Sequence, residues 1–382
     1  MSLGPQADKT PRLSAAQRLA WLRLIRSENV GPRTFRDLIN HFGSAEKALE
    51  ALPDLSRRGG KNALRICPLE DAEAELAAHE KSGARLIALG EPDYPPHLRH
   101  IDGPPPLLSV KGNGATLAQQ KALAVVGARN ASLSGRKLAA SITKELSADG
   151  FVIVSGLARG IDAAAHEAAL SGGTIAVFAG GINTLYPPEH GTLLSEIIRL
   201  GGTAISEMPF GWKPRGRDFP RRNRLISGIS LGVLVIEAAK ASGSLHTARF
   251  ALEQNREIFA VPGSPLDPRS EGANRLIQQG ATLITCAKDV TDSLAGRIEP
   301  VLPFDGQISE PDHDDSPYPA EPGEKTREQI ISALGPTPVE IDELIRFTGA
   351  TTREVRIVLL ELELAGRLER HQGNQVSLIM GT

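Results

Sequence analysis

Along the middle of the chain, short apolar runs alternate with segments of helical spacing. The runs are Ala122–Val126, Phe151–Val154, Thr174–Phe178, Thr203–Ile205, Gly232–Ile236 and Glu257–Val261. Between them lie helical patterns at Gly135–Ala148, Ile161–Leu170, Gly191–Leu200, Arg221–Gly228 and Ser244–Asn255. Strand and helix in alternation predict an α/β fold, a Rossmann-like doubly wound parallel sheet with helices on both faces. Upstream, the spacing predicts short helices at Ala15–Arg26, Thr34–His41 and Ser44–Ala51, joined by the tight turn Asn29-Val30-Gly31-Pro32-Arg33-Thr34. Such a turn is similar to the hairpin of SAM/helix-hairpin-helix-like modules, although the hairpin's second glycine is missing; it suits a DNA phosphate contact or simple packing. Downstream, helices are expected at Thr326–Leu334, Val339–Thr348 and Thr352–Leu364, then strands at Arg367–His371 and Gln375–Ile379 around Gly373-Asn374. That order predicts a C-terminal winged-helix domain.

The composition shift at Glu299–Glu324 to Pro, Asp and Glu, without Lys or Arg, marks a flexible acidic linker. The expected divisions are therefore 1–13 (disordered or an expression remnant), 14–80 (helical module), 81–296 (Rossmann-like domain), 297–324 (linker) and 325–382 (winged helix). At 382 residues the chain is long enough for several domains. Its 43 Lys+Arg against 45 Asp+Glu leave a net charge of −2, so any polyanion must be held by a local patch. Two distant cysteines, Cys67 and Cys286, in no CxxC arrangement point to a reducing cytoplasm rather than a disulfide framework or zinc site. No apolar stretch reaches the length of a membrane span, and the N-terminus lacks the layout of a secretory signal.

One segment breaks the neutrality: Phe219-Pro220-Arg221-Arg222-Asn223-Arg224-Leu225-Ile226-Ser227-Gly228, with Lys213, Arg215 and Arg217 before it and Asp218 alone in opposition. Proline suits a first helical position, which would put the arginines in the first turn, where free N–H groups and the helix dipole add to their pull on an anion. In an open parallel sheet, ligands bind beyond the carboxyl ends of the strands. The residues there are Gly127-Ala128-Arg129-Asn130, Ser155-Gly156-Leu157-Ala158-Arg159-Gly160, Gly180-Gly181 and Ser242-Gly243-Ser244, each opening a helix. Together they predict a phosphate-binding rim. Neither GxGxxG nor GxxxxGK[ST] occurs, which disfavours NAD and ATP, and no cofactor or metal is expected. Asp162 and His166, four apart, suit either acid–base work or a cap beside a packed histidine, and Glu237 suits either a general base or a tie to a neighbouring loop.

These motifs in this order resemble the DprA/Smf family, the DNA-processing protein A of bacteria. The resemblance is carried by Val126-Gly127-Ala128-Arg129, the run Ser155–His166, Tyr186-Pro187, Ser206-Glu207, the run Phe219–Gly228, the run Ser242–Ala248, Ala260-Val261-Pro262-Gly263, and Leu276-Ile277 with Gly280-Ala281. It covers about residues 85 to 290. Two positions depart from the family's pattern: Ala179-Gly180-Gly181-Ile182-Asn183 lacks the usual acidic residue, and Asn255 stands where glycine is usual.

The resemblance implies a dimeric, cytoplasmic single-stranded DNA-binding protein that protects incoming DNA and loads the RecA recombinase during natural transformation. It is expected not to be an enzyme. The nucleic-acid-binding residues expected are Gly127, Arg129, Ser155, Gly156, Arg159, Phe219, Arg221, Arg222, Asn223, Arg224, Ser242, Gly243 and Ser244. Arg221 and Arg224, three apart, share a helix face and are the candidates for phosphate, whereas Arg222 is expected to tether an acidic neighbour. The alternative is a nucleotide-processing enzyme of the lysine-decarboxylase-like phosphoribohydrolase type, with Glu237 as acid or base. A third reading gives the function to the tail as an adaptor; its third helix carries Arg353 and Arg356 but also Glu354, Glu361 and Glu363, too acidic for a DNA reader.

Overall fold

The computed structural model describes residues 12–61, 63–296, 322–371 and 373–379. The linker expected at 297–324 lies, through residue 321, outside the described residues, as does the disorder expected for residues 1–11. The described chain divides into two compact units: one of residues 13–74 and 322–379, the other of Arg12 and residues 75–296. The division falls inside one helix.

The four N-terminal helices are α1 (Ala15–Arg26), α2 (Pro32–Phe42), α3 (Ala45–Arg58) and α4 (Leu69–Lys81). Each of the first three starts where a local signal dictates. Ser14 and Gln17 form a capping box on α1, Pro32 occupies the first turn of α2, and Ser44 accepts from the Lys47 amide at the start of α3. Helix α3 runs seven residues past the expected Ala51 and carries Pro53 inside it, because Leu52 and Leu55 continue the buried apolar stripe.

The second unit is built on β1 (Ala84–Ala88), β2 (Leu107–Gly112), α5 (Gly114–Leu117), β3 (Ala122–Gly127), α6 (Leu133–Ala148), β4 (Val152–Ser155), α7 (Ile161–Ala168), β5 (Thr174–Val177), α8 (Gly191–Arg199), β6 (Thr203–Ser206), α9 (Asp218–Ile229), β7 (Gly232–Ile236), α10 (Gly243–Glu253), β8 (Glu257–Ala260), α11 (Glu271–Gln278), β9 (Thr282–Leu283) and α12 (Ala287–Leu294). The strands form one sheet in the order β1-β2-β6-β5-β4-β3-β7-β8-β9. From β6 to β9 all neighbours are parallel, and the winding reverses between β3 and β7. This is the Rossmann-like doubly wound core read from the apolar runs. Its central strands β3 and β7 are apolar throughout because both faces are covered: Leu123, Ala124, Val125 and Leu234 are fully buried, as is Ile153 of β4. One face packs on Ile142 and Leu146 of α6 and Ile161 of α7.

The sheet is not wholly parallel, however. β1 and β2 form an antiparallel pair on one edge, and β2 runs antiparallel to β6. Neither strand stood out in the alternation because no helical crossover joins them; an antiparallel pair needs none.

At the end of the chain, α13 (Glu324–Ser332), β10 (Val339–Glu340), α14 (Ile341–Thr348), α15 (Thr352–Leu364), β11 (Leu368–Arg370) and β12 (Gln375–Leu378) make the winged helix, its three strands ordered β10-β12-β11. Strand β10 takes the first two residues of the helix expected from Val339.

Candidate nucleic-acid interface

Beyond the carboxyl ends of β3 and β4, the start of α9 closes a cleft of about 280 Å³. Its walls are Arg129 and Asn130 from the loop after β3, Gly156 and Arg159 from the loop after β4, Tyr186-Pro187, and Phe219 and Arg222 from α9. It opens at the carboxyl edge of the parallel strands, where open sheets bind ligands, on the β4 side of the reversal between β3 and β7.

The arginines divide into two kinds. Arg129 is exposed and makes no hydrogen bond or ion pair among the described residues. Its guanidinium stands 5.3 Å over the centroid of the Phe219 ring, and Phe219 meets Tyr186 edge to face at 5.4 Å. The Tyr186-Pro187 peptide is cis, and Tyr186 is 53% exposed. A free cation beside two accessible aromatic faces suits a group that is both anionic and planar.

Arg222 belongs to the fold. It is 6% exposed, and its Nη1 donates to the carbonyls of Gly156 at 2.7 Å and Val177 at 2.6 Å. Burial holds it down to about 10 despite the attraction of Asp162, with Arg129 adding to the depression. Asp162 accepts from the amides of Gly156 at 3.1 Å and Ala158 at 3.3 Å; burial pushes its carboxyl up while Arg222 opposes the shift. Both backbone groups of Gly156 are therefore taken inside the protein. A Cβ at that position would lie 2.2 Å from Arg222 Nη1, so glycine is what lets the guanidinium lie against the loop. Gly156 forms floor rather than a free donor.

His166 Nδ1 faces Thr174 Oγ1 at 2.7 Å, and that hydroxyl donates to the Ile153 carbonyl. The ring is fully buried, which lowers it to about 3, with His190 and Arg222 adding to the effect. Asp162 and His166 thus hold the loop and the core, as the packing alternative has it, although the helix cap is Gly160 rather than Asp162.

Helix α9 starts two residues earlier than the proline suggested. Asp218 accepts from the Arg215 amide at 2.8 Å and from Trp212 Nε1 at 2.9 Å, which closes a turn ahead of Pro220. Proline is the third residue of the helix, and Arg221, Arg222 and Arg224 sit beyond it. Arg221 and Arg224 do share a face, but both are drawn onto Glu207, just after β6. Arg221 Nε donates at 3.1 Å, and Arg224 pairs with the same carboxylate and donates to the Gly103 carbonyl at 3.0 Å. Arg221 keeps 47% of its side chain exposed, whereas Arg224 keeps 15%.

The other expected residues are dispersed. Gly127 ends β3 beside Ile236 of β7. Ser155 is buried and donates to the Val125 carbonyl at 2.6 Å. Arg159 is exposed and paired with Glu189. Asn223 is buried and donates to the Gly243 carbonyl at 3.2 Å, joining α9 to the serine loop. There Ser242 caps α10 against the Ser244 amide, and Gly243 is exposed. Glu237 accepts from the Ser132 amide at 2.8 Å and pairs with its hydroxyl, so it ties the loop after β3 to the end of β7. Tyr186, Asn130 and Glu207 belong to motifs quoted from the sequence but not to the expected binding residues; their proximity to the arginines brings them to the site.

Family profiles match along the described fold. The one for the DNA recombination-mediator protein A spans residues 85–295, the one for a DprA-like N-terminal HHH domain residues 15–78, and the one for a DprA winged helix domain residues 314–374. Protein Smf of Escherichia coli is 37% identical over 369 residues, covering 94% of this chain and 95% of its own. DNA processing protein DprA of Bacillus subtilis is 43% identical over 224 residues, 58% of this chain and 75% of its own. Among solved structures, DNA processing protein A from Streptococcus pneumoniae aligns with a TM-score of 0.60 at 34% identity, over 74% of this chain and 98% of that one. The Helicobacter pylori protein, whose structure is described as giving insight into a single-stranded DNA binding mode, aligns with a TM-score of 0.51 at 28% identity, over 56% and 96%.

Proposed function

Since the chain belongs to the DNA recombination-mediator protein A family, the group that includes Smf and DprA, we propose that it binds single-stranded DNA in the cleft between β3, β4 and α9, protects it, and hands it to a recombinase of the RecA kind. One observation carries the DNA reading: Arg129, unpaired and exposed, lies over Phe219 beside the open ring of Tyr186. Phosphate would meet Arg129 and the outer edge of Arg221, and a base would stack on the aromatic faces, which single strands expose and duplexes do not. Arg222, Asn223, Gly156 and Ser155 shape the floor, and Arg224 anchors α9. Arg159 meets phosphate by exchanging it for Glu189, and the exposed Gly243 loop extends the rim.

The recombinase contact rests on the family's description as recombination mediators. The homodimer has its own support in a groove of about 590 Å³ at α10 and α11, where Leu245, Leu252 and Leu276 lie among Arg249, Arg275, Glu257 and Glu271. An apolar floor with both signs of charge suits a second copy of the same surface. A cytoplasmic location goes with this role, and among the described residues no helix is long and apolar enough to cross a membrane. A binder rather than an enzyme is favoured because Glu237, the candidate acid or base, is tied to Ser132.

A salt series of binding to single- and double-stranded DNA of equal length tests the reading. Single strands should bind tighter, with affinity falling on a log–log slope of about −0.7 for each phosphate neutralised. Equal affinity for both forms, or affinity insensitive to salt, would overturn it.

A further inference from the structure

Residues 13–74 and 322–379 form one compact unit, with the Rossmann-like domain inserted between them in sequence. In a DNA-reading helix-turn-helix fold, one helix lies free in the major groove. By its position in the winged helix, that element here is α15. Yet Ile357, Val358, Leu359, Leu360, Glu361 and Leu362, six consecutive residues, are all buried. Six in a row go all the way round a helix, so α15 is packed on every side along this stretch.

On one side lies its own domain. Arg327 of α13 donates to Glu361 through Nε at 3.0 Å and Nη2 at 3.1 Å, a pair with both partners buried. On the other side lie the N-terminal helices. Gly59, which ends α3, sits so close to α15 that a Cβ there would lie 2.0 Å from the Glu361 carbonyl oxygen and 2.8 Å from Ala365 Cβ. Three polar ties extend this seam. Asn29 Nδ2 donates to the Leu364 carbonyl at 2.8 Å, Arg367 Nη1 donates to the Gly59 carbonyl at 3.0 Å, and Arg370 pairs with Asp37 at 3.0 Å. Asn29 belongs to the turn before α2, the one that resembles a DNA-holding hairpin. A single contact therefore occupies both elements of this unit that would otherwise be candidates to meet DNA.

We propose that the partner of the winged helix is the N-terminal helical module of the same chain, with α15 as the strut between them and not a reader of duplex DNA. The residues of α15 left exposed fit this assignment. They are Thr352, Arg353 and Arg356, two cations on a helix that also carries Glu354, Glu361 and Glu363. The inference stands apart from the cleft proposal, because every residue in it belongs to the other unit.

Gly59→Ala in the full chain is the direct test. Gly59 has right-handed helical angles, φ −69° and ψ −7°, which alanine adopts freely, so only the seam has to give way. Amide exchange should quicken by about tenfold or more, together, in α15 and in α2 and α3, as in one cooperative unit. Unchanged protection of α15, or loss confined to one side, would overturn the proposal. The milder Asn29→Gly, which removes the bond to the Leu364 carbonyl and keeps the left-handed backbone of that position, φ +58°, should give the same paired response at smaller size and serves if Gly59→Ala does not fold. In parallel, Arg353→Glu with Arg356→Glu should leave duplex affinity within about twofold of the parent; a tenfold loss would show that α15 reads DNA after all.

Discussion

Arg222 and Arg129 line the same cleft, and the structure predicts opposite phenotypes for their removal. Arg222→Met removes the guanidinium, whose Nη1 serves two buried carbonyls, Gly156 at 2.7 Å and Val177 at 2.6 Å. Each buried acceptor left without a donor costs about 1–3 kcal/mol. Asp162 also loses the positive charge nearest its buried carboxylate. The carbonyls alone bring the loss to about 2–6 kcal/mol, a large share of a typical stability of about 5–15 kcal/mol. For a unit of this size, that lowers the melting temperature by about 4–24 °C. Arg129→Ala removes an exposed side chain that makes no hydrogen bond or ion pair among the described residues and stands 5.3 Å over the Phe219 ring, a cation–π contact of about 0.5–1 kcal/mol. Its melt should stay within a few degrees, about 2–4 °C, of the parent. Its single-strand binding should weaken, and the magnitude of the log–log salt slope should drop by about 0.7, one phosphate contact. Thermal melts together with fluorescence anisotropy across a salt series measure both quantities on each protein. An Arg222→Met variant that melts like the parent but no longer binds would refute the division of labour, as would an Arg129→Ala variant that binds normally but melts early.

Two further outcomes follow from the same geometry. Glu207 neutralises Arg221 and Arg224 together, so Glu207→Gln, which keeps the shape, should tighten single-strand binding severalfold at low salt and steepen the salt slope; weaker binding with an unchanged melt would show that the carboxylate serves instead to aim Arg221. His166 titrates at about 3 in the folded chain against an ordinary 6.5; a depressed histidine contributes its full stability above pH 6.5 and loses it as the pH falls toward 3, by up to about 1.4 kcal/mol per pH unit. Urea midpoints measured between these limits should fall less steeply for His166→Gln than for the parent, and parallel slopes would mean that the ring is not held neutral.

What could be read without coordinates was set by local rules. The parallel core strands appeared as apolar runs because strands covered on both faces cannot alternate. Helix α15 was placed residue for residue, since Thr351 and Glu354 form a capping box immediately ahead of the apolar run. Even a departure from the family pattern proves local: Asn255 stands where glycine is usual and has φ +55°, a conformation asparagine tolerates better than most residues. Strands β1 and β2 do not show in the pattern because their pairing depends on partners distant in the chain, Ser109 against Ser206 among them.

For the site, the motif order pointed to the strand ends, where the structure has a cleft, and the density of arginine pointed to α9. Helical spacing put Arg221 and Arg224 on one face, as it must at a separation of three. Whether that face meets solvent or a carboxylate is not a property of the helix. Glu207 arrives from the end of another strand, and the floor that buries Arg222 is built from Gly156, Asp162 and Val177 on three different elements. The sequence by itself therefore determined where positive charge gathers and which fold presents it, because propensity, capping and hydrophobic period act over a few residues. Which arginines stay free for an anion, and what covers the third helix of the winged domain, were decided only by the tertiary structure, because burial and charge pairing depend on residues brought together from distant parts of the chain.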